Sequence, residues 1–152
     1  MKKLIALVLA GHAGLAFSAA EPYPATDHRI AIEVTAKERN QILYEMREFL
    51  HGWHNIHHAL AKNDMKAVSV EVQPMSEVMH RLPEATRERL PEGFLQMGLA
   101  MHEAFRGLGK IATESGDMQK VQEQIAEITS YCSGCHDTYR LEVTRRPRAA
   151  KN

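Results

Sequence analysis

Apolar residues in this chain return mostly at steps of three and four, the interval that lines up side chains on one face of a helix. From Thr35 to about Ala61, Leu43, Met46, Leu50, Trp53, His57 and Leu60 form such a stripe, flanked by Ile42, Phe49 and Ile56. Thr35 and Glu38 have capping-box spacing, which satisfies the free N–H groups of a helix start. Lys62-Asn63-Asp64 reads as a turn, with Asn63 or Asp64 as the next N-cap. Val68, Val72, Met75, Val78 or Met79, and Leu82 then mark a second helix that Pro74 should kink or split. Pro83 to Pro91 is a charged connection with room for one helical turn.

A third stripe holds Phe94, Met97, Met101, Phe105, Leu108 and Ile111 and stops near Glu114-Ser115-Gly116. The fourth begins at Asp117 as N-cap and carries Met118, Val121, Ile125, Ile128, Cys132, Cys135 and Tyr139; Pro147 bars its continuation. Alternating apolar runs are short, so no β signal stands out. The pattern predicts an all-α protein, an antiparallel up-down-up-down four-helix bundle over residues 35–143. An N-terminal arm (21–34, with Pro22 and Pro24) precedes it and a basic tail (144–152) follows.

The first twenty residues do not belong to that bundle. Lys2 and Lys3, an apolar run from Leu4 to Phe17 and the small residues Ser18 to Ala20 have the layout of a secretory signal peptide. Gly11, His12 and Gly14 interrupt the run, which is shorter than the roughly 20 residues of a membrane span, so no membrane anchor is expected. The expected destination is the periplasm. The 19 basic and 19 acidic side chains balance, which argues against a nucleic-acid partner.

Both cysteines fall within Tyr131-Cys132-Ser133-Gly134-Cys135-His136. Cys-x-x-Cys-His is the spacing at which two thiols bind a haem covalently while the following imidazole meets the iron. A thioredoxin-like pair needs a strand leading into a helix that begins at the motif, whereas this pair sits near a helix end. A structural zinc site needs four ligands, and there is no second cysteine pair. A plain disulfide leaves His136 unexplained.

In an antiparallel bundle the start of helix one lies beside the end of helix four. The segment facing the motif is therefore about residues 39–46, where Leu43 and Met46 share a stripe. Methionine would ligate the iron and favour electron transfer; leucine would leave a coordination position open behind an apolar lid. The helical spacing leaves both open.

Four of the nine histidines lie in His51-Gly52-Trp53-His54-Asn55-Ile56-His57-His58. A pair four apart on one helix is short of the three or four ligands zinc takes. Even so, a haem-free periplasmic metal-binding helical bundle, with His51 to His58 as its site and the cysteines as a disulfide, is the competing expectation. The tail residues Arg145, Arg146, Arg148 and Lys151 suit either solvation or docking of an acidic partner.

With the export signal, the four helices and Cys132 to Arg140, CSGCHDTYR, the chain resembles the class II c-type cytochromes, the cytochrome c-prime group. The resemblance implies one haem c held by Cys132 and Cys135, with His136 as iron ligand. It further implies that Arg140, four residues after the histidine, and Arg39, four before Leu43, meet the haem, Arg39 at a propionate. Low-spin relatives carry methionine where Leu43 stands. The implied role is non-enzymatic: one-electron transfer with a periplasmic redox partner, or binding of small diatomic gases such as NO and CO, in a chain that is often a homodimer.

Overall fold

The computed structural model describes residues 26–76 and 83–148; the expected signal peptide and the last residues of the tail lie outside them. The described chain is mostly helical. Its elements are β1 (Ile30–Val34), α1 (Ala36–Ala61), α2 (Met65–Glu71), a 3-10 turn (Pro74–Ser76), α3 (Glu84–Arg87), α4 (Glu92–Glu114), α5 (Met118–Thr138) and β2 (Tyr139–Val143). None of these helices is long and apolar enough to cross a membrane.

Local chemistry sets the helix ends. Thr35 and Glu38 form the reciprocal capping box at the start of α1. Asp64 caps α2 through the Ala67 N–H, and Asp117 caps α5 through the N–H groups of Gln119 and Lys120. Asn63 and Gly116 take positive φ at the two interhelical turns. α2 stops ahead of Pro74, and the chain tightens into the 3-10 turn; Val78, Met79 and Leu82 of the predicted second helix lie outside the described residues.

Two expectations are corrected at the chain's ends. No strand was expected, yet the last five residues of the predicted arm form β1. The fourth helix does not run to residue 143: it ends at Thr138 and continues as β2, which places Arg140 on a strand. β1 and β2 pair in parallel, Ile30 opposite Tyr139 and Val34 opposite Val143. Ile32 and Val34 turn inward while Glu33 turns out and takes the guanidinium of Arg148, folding part of the tail onto the strand.

A third correction concerns α1. Leu50 is 68% exposed and His57 is also exposed, while Ile42, Glu45 and Ile56 are buried. The flanking set meets the interior together with Trp53 and Leu60 of the predicted stripe, while Leu50 and His57 turn out to solvent. Close approach of neighbours explains the choice: a Cβ on Gly52 would stand 2.4 Å from Met75 Sδ, so the glycine face admits Met75. On the other side of the core, a Cβ on Gly109 would stand 2.8 Å from Val72 Cγ2, bringing α4 against α2.

α1 packs on α2, α2 on α4, and α4 on α5. The interior divides in two. The larger core joins Ile56, Leu60, Val68, Phe105, Leu108, Val121, Ile125 and Ile128, with Phe49, Trp53, Met101 and Tyr131 against it. The smaller joins Ile32, Val34, Ile42 and Leu90, with Phe94, Leu95, Tyr139 and Leu141.

Glu38 ties the smaller core to the start of α1. Its carboxylate accepts the Thr35 N–H (2.7 Å), the hydroxyls of Thr35 (2.9 Å) and Thr86 (2.8 Å), and the Arg89 guanidinium. Burial alone would raise its pKa; the hydrogen bonds from Thr35 and Thr86 and the charge of Arg89 outweigh it and bring the value down from 4.5 to about 2. A pKa lowered by folding contributes stability above 4.5 that is lost as the pH falls through 2. Glu38→Ala should therefore destabilise the protein by about 1–3 kcal/mol at neutral pH. In denaturant titrations the difference from wild type should shrink as the pH is lowered across that window.

Candidate haem-attachment site

The motif occupies the last turns of α5. Cys132 is exposed and Cys135 half-buried, three residues apart on one side of the helix, and both thiols are free. Burial pushes both thiol pKa values up, with the neighbouring Cys132 adding to the effect on Cys135. These are thus neutral thiols at physiological pH, unlike a redox dithiol, which depends on a lowered pKa.

Met97 of α4 closes one side of the motif. Its Sδ lies 4.0 Å from Cys135 Sγ and would lie 3.6 Å from a Cβ on Gly134. The sequence reading placed Met97 on a core stripe and not at the site. A usable signal was nonetheless present: Met97 and Cys135 are equally far along the chain from Gly116, the turn of the antiparallel α4–α5 hairpin.

His136 is exposed and follows Cys135 into the final turn. That turn is pinned from three directions. The Tyr139 N–H donates to the Cys135 carbonyl. The Tyr139 ring meets Phe94 edge-on, with centroids 5.4 Å apart. Arg29, from the segment before β1, donates to the His136 carbonyl at 3.1 Å. Hydrogen bonds from the Arg29 side chain and backbone hold the Asp27 carboxyl at about 2, so it stays ionised. Arg140 reaches into the same cluster, with Nη1 3.0 Å from Glu142 and Nε 3.9 Å from Asp27; that Nε is buried without a hydrogen bond.

On α1, Leu43 is half-buried, Met46 is 38% exposed and Arg39 is exposed. No hydrogen bond or ion pair joins these three to the motif among the described residues. Ile42, one residue before Leu43, shares the smaller core with Tyr139, one residue after α5.

The segments between the two cores coincide with the site on all three long helices. Core packing breaks between Ile42 and Phe49 on α1, between Leu95 and Met101 on α4, and between Tyr131 and Tyr139 on α5. The break spans roughly 9–12 Å of helix. Along the chain it contains Leu43, Met46, Met97, Cys132, Cys135 and His136, which belong to neither core, together with the buried Glu45. Two free thiols at haem spacing, a following imidazole and a buried arginine nitrogen lacking a hydrogen bond fit a covalently attached haem.

The histidine cluster shows no comparable convergence. His51, His54, His57 and His58 are exposed; the His54 and His58 rings stack at 6.2 Å, and His57 meets Trp53 edge-on at 5.0 Å. Among the described residues, no group of three or more His, Cys, Asp or Glu side chains is arranged to hold a metal ion.

Residues 89–140 match the family model described as cytochrome C'. The matched segment runs from Arg89 through α4 and α5 to Arg140; it includes Met97, both cysteines and His136, and leaves α1 outside. Neither a curated protein nor a solved structure matches the chain.

Proposed function

We propose that the chain, whose residues 89–140 match the cytochrome C' family model, is a member of the cytochrome c-prime family: an exported monohaem c-type cytochrome of the periplasm, built on an up-down-up-down four-helix bundle. Its work is one-electron transfer to a periplasmic redox partner, binding of small diatomic gases such as NO and CO, or both. The observation that carries this reading is the shared break in the apolar core, which falls on the motif, on Met97 and on Leu43 and Met46.

When bound, a haem c supplies a one-electron iron couple and, where a coordination position is open, a seat for a diatomic ligand. The chain's own residues set which of these dominates. Cys132 and Cys135 hold the group, and His136 presents an imidazole from a turn whose backbone is fixed. Leu43, the more buried of the two distal candidates, contributes an apolar cover that excludes water without donating electrons. Met46, at 38% exposure, stands nearer the rim, and its thioether is the alternative ligand. Arg140 and Arg39 offer guanidinium groups to propionates. Neither role requires a general acid, base or nucleophile. A homodimer fits the apolar exposure of Leu50 and Tyr44 on α1.

Protein exported together with the haem-attachment machinery should show a Soret band and the mass of one haem; absence of both would end the cytochrome reading. Spin state then separates the distal candidates. With Leu43 as cover, the wild type is high-spin, and Leu43→Ala speeds gas binding by about tenfold while Met46→Ala changes little, a tenfold change being about 1.4 kcal/mol of barrier. A low-spin wild type that turns high-spin only in Met46→Ala would establish methionine ligation instead.

A further inference from the structure

We propose that Arg29 is a positioning residue for the His136 imidazole, gripping the last turn of α5 by its carbonyls while Asp27 fixes the direction of the guanidinium. This rests on the reading of His136 as the iron ligand.

A helix end leaves its last carbonyls without intrahelical partners. In α5 the Cys135 carbonyl is taken by the Tyr139 N–H. The next carbonyl, that of His136 itself, accepts from Arg29 Nη1 at 3.1 Å, and the Tyr139 carbonyl lies 3.5 Å from the same nitrogen. The other two nitrogens of the fork are held by Asp27: Nε to Oδ1 at 2.9 Å and Nη2 to Oδ2 at 2.7 Å. The Arg29 backbone N–H also donates to Oδ1, at 3.1 Å. Because a guanidinium is planar and rigid, anchoring two nitrogens fixes where the third points.

The pair is exposed at its edges, with side-chain accessibilities of 40% and 44%, so as an ion pair it contributes little stability. Its effect is orientational. Among the described residues nothing hydrogen-bonds the His136 ring, so the direction of the imidazole is set through its backbone, and Arg29 holds that backbone from a segment 107 residues away in sequence. The Asp27 carboxylate, which stays charged down to about pH 2, keeps the grip in place across the physiological range. Arg140 stands on the other side of Asp27, with Nε at 3.9 Å, and competes for the same carboxylate.

The test uses haem-loaded protein and ferric electron paramagnetic resonance, which reports the axial imidazole's orientation, together with the midpoint potential. Arg29→Gln should shift and broaden the ferric signal and move the potential, with α-helical content and haem stoichiometry unchanged. Arg29→Lys, which keeps one charged donor, should restore part of the shift. Asp27→Asn, which leaves Arg29 in place but loosens its aim, should move both readouts in the direction of Arg29→Gln. An Arg29→Gln protein that carries haem with wild-type signal and potential would overturn the positioning role alone. Should Arg29→Gln give no folded protein, Asp27→Asn decides by the same criteria. A wild type that takes up no haem overturns the cytochrome reading, and this role with it.

Discussion

Cys132→Ser/Cys135→Ser, exported alongside the haem-attachment machinery, is expected to lose covalently bound haem entirely. Denaturing gels stained for haem and intact mass give the readout: the wild type retains one haem through denaturation, and the double variant none. The two thiols are the sole cysteine sulfurs in the chain, so no other side chain can replace the covalent link. Both are free, Cys132 exposed and Cys135 half-buried. Either single variant should retain haem through one bond, at reduced yield. His136→Ala gives the complementary result, with the covalent link kept and the iron's visible spectrum altered, because attachment and ligation belong to different atoms of one turn. A double variant that still carried haem through denaturation would contradict the assignment.

The second large effect is expected far from the motif. Phe105 is 2% exposed at the middle of α4, stacked on Phe49 at 5.9 Å and met edge-on by Trp53 at 6.2 Å. Phe105→Ala removes the ring and leaves a cavity that α1 and α5 cannot close, because Ile56 and Ile128 are already fully buried there. The expected loss is about 3–5 kcal/mol, a large part of the roughly 5–15 kcal/mol by which a domain is stable. Urea titration of the haem-loaded protein should show it as a lowered midpoint with little change in slope. Since Phe105 belongs to the larger core and the motif lies beyond it, the Soret maximum of the folded variant should be that of wild type. A loss below 1 kcal/mol would mean that the larger core is not the main source of stability.

The parts of this fold that were legible in sequence are those fixed by neighbours along the chain. The Thr35–Glu38 box, the Asp117 cap, the break before Pro74 and the Cys132-to-His136 turn all depend on residues a few positions apart. The ribbon did not announce itself, because IAIEV and YRLEV are five residues each and pair across almost the whole described chain. On α1, two apolar stripes lie side by side, Leu43-Met46-Leu50 and Ile42-Phe49-Ile56. Sequence alone could not tell which would meet α2 and α4; Gly52 admitting Met75 decides it. The motif was readable as chemistry, but its surroundings were not. Arg29 and Asp27 arrive from a segment read as an arm, and Met97 arrives from a stripe read as core.

The parallel ribbon also has a consequence for the order in which the molecule is completed. β1 precedes every helix and β2 follows every helix, so the first strand has no partner until the last helix is in place. Closing the ribbon is therefore a contact of long sequence separation, Ile30 with Tyr139, whose loop-closure cost makes it a late step in folding.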